Sequence, residues 1–321
     1  FNPSELQARV KSLLRVRMAE KETLRLNSEL DQSLKEQKLQ FEELKKTKVE
    51  LAEISAVAEL TRIFEKFVPR EFLDRIAKTG IENITLGHAE SDVITILFSD
   101  IRSFTDISES MEPAELMQFL NTFLQFMSEP IHLNHGFVDK FIGDAIMALF
   151  DQPGKPDAIE ARDAVRSGIE MQASLVRFNK LRAKQNYPPT NIGIGVHSGP
   201  VVIGTLGSDS RMDSTVLGDA VNLASRLEGL TKNYRLPMLV SEDSKNLISH
   251  LEEFNWRLLD RITVKGKSEP VRIFEVFNQY SDENYENKLK AASVFEEAMT
   301  PYLNQNWELA IEGFKDCEEL L

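Results

Sequence analysis

Two carboxylates stand out by place as well as by type. Asp100 follows the continuous apolar run Val93-Ile94-Thr95-Ile96-Leu97-Phe98, and Asp144 sits in a Gly143-Asp144 pair between two apolar segments. Delivered by rigid strands to the same end of a sheet, they suit a hard cation such as Mg²⁺, which keeps waters and substrate phosphates as its other ligands. An N-cap at Asp100 and a turn aspartate at Asp144 account equally well for the same two residues. Asn222 and Arg226 lie four apart in a helical stretch and therefore share a face. Other chemistries find less footing. Gly193-x-Gly195 is too incomplete for a dinucleotide fingerprint, and no Walker-type loop occurs. His132-x-x-His135 reads as a loop pair, and none of the five histidines has a convincing metal spacing.

The elements that must hold these residues follow from periodicity. Residues 93–98 read as a buried strand, because a short unbroken apolar run fits a strand covered on both faces. Leu116, Phe119, Leu120, Phe123 and Leu124 follow at helical spacing, with Pro113 in a first turn that tolerates it. Phe137 to Phe150 reads as two strands around Gly143-Asp144, and a helix spans Asp157 to Leu181. Ile192–His197 and Val201–Thr205 read as two strands around Ser198-Gly199-Pro200. A helix over Ala220–Leu230 and strands near Met238–Val240, Arg257–Val264 and Val271–Phe277 complete the series. Hairpins are frequent among these strands, so an α+β fold with a mixed sheet is expected rather than a doubly wound one.

Helical segments flank this region. Residues 1–18 read as an amphipathic helix with a stripe of Leu6, Val10, Leu13 and Leu14. From Glu20 to Thr61 there is neither glycine nor proline, and Leu30, Leu34, Gln37, Phe41, Leu44, Lys48 and Leu51 step by alternating fours and threes. That is a heptad seam over residues 19–61, expected to form a dimeric coiled coil, with Asn27 and Lys48 as polar seam positions that fix register. Residues 62–82 read as a short connector, a helix or a bend between the seam and the next domain. After residue 280 the chain is helical again, with Phe295, Ala298, Tyr302, Trp307, Ala310 and Phe314 spaced to interlock in a helical hairpin.

Composition narrows the function classes. The chain has 321 residues, with 38 basic and 51 acidic side chains and a net charge of −13. No basic face for nucleic acid or an anionic membrane is expected from that balance. No apolar run of about 18 residues occurs, so no span is expected. Cys317 is the only cysteine, no secretory signal opens the chain, and a reducing cytoplasm is the expected compartment. Phe1 at the start and a helical pattern still running at Leu321 suggest a piece of a longer protein.

Four motifs in order now point to one family. Phe98-Ser99-Asp100-Ile101-Arg102-Ser103-Phe104 and Asp139-Lys140-Phe141-Ile142-Gly143-Asp144 resemble the first and second metal motifs of class III nucleotidyl cyclases. Leu217-Gly218-Asp219-Ala220-Val221-Asn222-Leu223-Ala224-Ser225-Arg226 is similar to the third, and Val264-Lys265-Gly266-Lys267 to a fourth. The resemblance implies a ferredoxin-like catalytic domain over residues 83–280 that cyclises a nucleoside triphosphate as a homodimer. The flanks resemble other modules: residues 1–18 the last helix of a receiver domain, and residues 281–321 a tetratricopeptide-like unit.

By that resemblance, Asp100, Asp144 and the Ile101 carbonyl would hold two divalent ions, Mg²⁺ or Mn²⁺. Asn222 would orient the ribose, Arg226 would stabilise charge at the transferring phosphorus, and Lys265 would hold the terminal phosphates. Lys140 and Thr215 would read the base. A lysine has only donors and suits the N1 acceptor of adenine, while a threonine hydroxyl can accept from the adenine amino group. Guanylate cyclases of this family place glutamate and cysteine there, so ATP is the expected substrate. Threonine at 215 further resembles a subgroup associated with bicarbonate stimulation. One departure stands out: some members carry a pyrophosphate-binding arginine where this chain has Gly193. A guanylate cyclase, or a catalytically silent cyclase-like scaffold, is the alternative reading.

Overall fold

The computed structural model describes residues 3–64, 68–76, 85–208, 210–263, 270–277 and 285–320. Two units make up the chain, residues 1–67 and residues 68–321.

The first unit is a single helix, α1 (Pro3–Phe64), 62 residues long and about 93 Å from end to end. It runs without a break through residues 18 and 19, where the sequence pattern suggested a boundary. Between Pro3 and Pro69 there is no proline and no glycine to stop it. Its seam residues Leu30, Leu34, Phe41, Leu44 and Leu51 are all exposed in the single chain.

The second unit is built on one sheet. Its elements in order are α2 (Arg70–Ile76), β1 (Ala89–Ile101), α3 (Phe104–Glu109), α4 (Pro113–Leu133), β2 (Phe137–Ile142), β3 (Ala145–Phe150) and α5 (Asp157–Ala183). Then come β4 (Ile192–Ser208), β5 (Arg211–Leu217), α6 (Asp219–Tyr234), β6 (Met238–Ser241), α7 (Glu242–Ile248), β7 (Asn255–Ile262) and β8 (Val271–Phe277). Helices α8 (Tyr285–Leu303) and α9 (Trp307–Leu320) follow. The strand order is β2-β3-β1-β4-β6-β8-β7, with β5 also paired to β4. Among the described residues, only β4 and β6 pair in parallel.

Alternation along the strands sends side chains to two cores. On one face, Leu97, Ile101, Ile146, Ala148 and Phe150 meet α4 and α5 through Phe119, Phe123, Met127, Val165 and Met171. On the other, Ile94, Ile96, Phe98, Met147 and Leu149 are covered by Phe72 of α2, Val216 of β5, and Ala220 and Ala224 of α6.

Where two short strands were expected around Ser198-Gly199-Pro200, β4 is one strand of 17 residues. It pairs with β1 continuously, from Ile192↔Ile101 to Gly204↔Ala89. Pro200 is tolerated because it falls in a gap on the opposite edge. There β6 covers 194–196 and β5 begins pairing at Val202. Strand β5, which the periodicity did not suggest, turns back to pair antiparallel with β4 from Val202↔Leu217 to Ser208↔Arg211.

Helix α6 lies hard against β4. A β-carbon at Gly195 would overlap the Glu228 backbone nitrogen and the Ala224 carbonyl, so only glycine admits this approach. The C-terminal helices form the expected hairpin, with Phe295 and Phe314 ring centroids 5.2 Å apart and Gly313 against Ala298. The hairpin is tied to the sheet by Glu275 of β8, which meets Lys288 of α8 at 3.3 Å and Arg257 of β7 at 2.5 Å. No helix among the described residues is long and apolar enough to cross a membrane.

Candidate active site

Asp100 is the penultimate residue of β1, on the same side of the strand as Phe98. Asp144 is held by the tight turn between β2 and β3, whose register closes on Ile142↔Ala145. Gly143 takes φ +67° there, a conformation glycine adopts at little cost. The two carboxylates converge on one donor. The Ile101 amide donates to Asp100 Oδ1 at 3.1 Å and to Asp144 Oδ2 at 3.3 Å.

This crowding has an electrostatic signature. Burial, then the hydrogen bond and negative charge of Asp100, push the Asp144 carboxyl up to about 7. Glu228 of α6 is also raised, by burial and by the charge of Asp100, with Arg102 opposing. Converging hard oxygen donors that resist joint ionisation are the donor set a divalent cation neutralises, so the residues present fit such an ion. The described residues hold no cluster of three His, Cys, Asp or Glu groups able to bind a metal.

A second constellation lies on β2 and β5. Lys140 Nζ donates to Thr215 Oγ1 at 3.3 Å and stands 3.3 Å from Asp139 Oδ2. Asn222 and Arg226 sit on the exposed side of α6, away from its buried Leu223 and Leu227. The space in front of Gly193 is occupied by Glu228, Thr231 and Arg102. A side chain at 193 could not enter without displacing them, because its β-carbon would already overlap Glu228 Oε1 and Thr231 Oγ1. Lys265, with the rest of 264–269, lies outside the described residues, as do 65–67 and 77–84 of the connector. His132 lies in the last turn of α4 rather than in a loop, and His135, just past the helix, pairs with Asp163 at 3.1 Å.

Sequence reasoning gave no role to Asp139 or Glu228. The signal for Glu228 was the Gly193-x-Gly195 spacing, which marks where α6 presses on the strand.

Comparison with known proteins bears on this geometry. Residues 86–277 match the family model of the adenylate and guanylate cyclase catalytic domain. An adenylate cyclase of Anabaena cylindrica is 49% identical over 218 residues, 66% of this chain and 42% of that protein. The terminal-differentiation-specific adenylate cyclase of Dictyostelium discoideum is 40% identical over 269 residues, 84% of this chain and 12% of that protein. The chain thus spans less than half the length of either relative. Among solved structures, the adenylyl cyclase CyaB from P. aeruginosa superposes with a TM-score of 0.54 at 35% identity. That match covers 60% of this chain and 97% of CyaB.

Proposed function

Because the chain belongs to the adenylate and guanylate cyclase catalytic-domain family, we propose that it converts ATP to 3′,5′-cyclic AMP and pyrophosphate, as a homodimer. The observation that carries the choice of ATP is the Lys140–Thr215 contact. An ammonium with three donors and a hydroxyl beside it match the N1 acceptor and 6-amino donor of adenine. Against guanine, whose N1–H is a donor, the ammonium would face a donor and leave both unpaired, and buried mismatches of that kind discriminate strongly.

Asp100, Asp144 and the Ile101 carbonyl are the groups that would hold two divalent ions, Mg²⁺ or Mn²⁺. Such ions, when bound, acidify the attacking 3′-hydroxyl and neutralise the triphosphate. Asn222 orients the ribose and Arg226 meets the charge that grows at the α-phosphorus. Lys265 holds the terminal phosphates. The site is composite: the Asp100–Asp144 half of one chain faces the Lys140, Thr215, Asn222, Arg226 and Lys265 half of its partner. An isologous two-fold interface then makes two equivalent sites. The exposed seam of α1 supports a dimeric coiled coil that sets how the two halves meet.

Purified protein supplied with Mg-ATP or Mn-ATP should form cyclic AMP, and supplied with GTP far less cyclic GMP. Dominant cyclic GMP would make it a guanylate cyclase, and no product from either would make it a silent scaffold. Thr215 extends the proposal to stimulation by bicarbonate. A flat dose response at constant pH and ionic strength would remove that extension.

A further inference from the structure

Strand β2 does not alternate regularly. Phe137 faces the core shared with α6 and β5, and Val138 packs toward α4 and α5. Regular alternation would return Lys140 to the side of Val138. Instead the pairing with β3 slips between Val138 and Lys140, so Val138 lies opposite Ala148 and Lys140 opposite Met147. Asp139 is the extra residue of a β-bulge, and Lys140 emerges on the Met147 face, where it reaches Thr215.

The bulge also buries a carboxylate beside that lysine. The Asp139 side chain is 1% exposed, and Lys140, 38% exposed, is its one ion-pair partner among the described residues. Burial raises the Asp139 carboxyl and the charge of Lys140 opposes it. An isolated buried carboxylate is costly, so this one holds the ammonium near it. Lys140 Nζ donates to Thr215 Oγ1 and stands 3.3 Å from Asp139 Oδ2 as an ion pair, so the hydroxyl and the buried carboxylate fix the ammonium between them and leave N–H capacity for a ligand.

We propose that Asp139 is a positioning residue for base recognition: it pins the Lys140 ammonium so that its remaining N–H capacity meets an acceptor on the purine edge. The proposal rests on the base-reading role given above to Lys140 and Thr215, and adds to it the residue that makes the lysine directional.

The test compares kcat and KM for ATP and GTP in wild type, Asp139→Asn, Lys140→Ala and the double variant. Asp139→Asn keeps the shape and removes the charge. It should raise KM for ATP roughly tenfold, with kcat within about twofold, and lower the ATP-over-GTP preference by a similar factor. In the Lys140→Ala background the same change should shift neither quantity further, because its partner is gone. Asp139→Ser, smaller and uncharged, repeats the comparison should the amide disturb folding. If Lys140→Ala loses the preference while both Asp139 variants keep it, the positioning role is wrong and the base-reading role stands. Equal losses for ATP and GTP with a lowered Tm would reduce Asp139 to a structural residue and also overturn the proposal. Should Lys140→Ala itself retain full preference for ATP, the base-reading role fails, and the proposal with it.

Discussion

At the scale of residues, two acids, Asp144 and Glu160, make opposite demands on pH. Asp144, lifted to about 7 beside Asp100, must lose its proton before a cation can bind. Mn²⁺ affinity in the absence of nucleotide should therefore be level above neutrality and fall by about tenfold per pH unit below about pH 7. Titration calorimetry at pH 6 and 8 checks this, and equal affinities would show that the pair does not bind the ion. Glu160 is the second case. It is buried, accepts the Gln152 amide at 2.8 Å, and is pushed up to about 8 chiefly by burial. Between the ordinary carboxylate range and about pH 8 the folded state holds a proton that the unfolded state has released, so stability falls as pH rises through that window. Glu160→Gln keeps the acceptor and removes the titration. Its advantage over wild type in unfolding free energy, read by chemical denaturation, should grow from about pH 5 to about pH 8 and then level off, at on the order of 1–3 kcal/mol. A pH-independent difference between the two proteins would contradict the assignment.

At the scale of elements, the contact between α6 and β4 is the joint that places Asn222 and Arg226. Gly195→Val should force the helix away from the strand, with a loss of about 1–3 kcal/mol in chemical denaturation and a larger fall in kcat than in nucleotide affinity. Unchanged stability would mean that the helix yields freely. Some of this architecture was legible in the residues. The apolar run before Asp100 and the segments around Gly143-Asp144 announced β1, β2 and β3, and no competing pattern obscured α5. Strand β4 was misread because Ser198-Gly199-Pro200 has the composition of a turn, and only pairing on both sides reveals why a proline is harmless there. Strand β5 went unread because Arg211-Met212-Asp213-Ser214 shows no apolar alternation. The convergence of Asp100 and Asp144 was an open alternative from spacing, and the motif likeness favoured it. The reach of Lys140 to Thr215 was not legible as geometry, because it depends on a slip of register that no linear pattern records.

At the scale of the whole molecule, the shared-site proposal makes a quantitative claim. Chains carrying Asp144→Ala and chains carrying Arg226→Ala should each be inactive alone. After exchange, about half of the dimers are mixed, and each mixed dimer has one intact site, so roughly a quarter of wild-type activity should return. Mixed dimers verified by mass but lacking activity would sink the shared site, and with it control by α1. The bulge at Asp139 has a consequence at this scale too. Strand β2 is the outermost strand of the sheet, and a regular outer strand offers its free amides and carbonyls as a template for a stray chain. The slipped register interrupts that template midway along the strand. The irregularity that turns Lys140 toward Thr215 thus also guards against fibrous aggregation, and a variant with a straightened β2 should be judged by its shelf life as much as by its turnover.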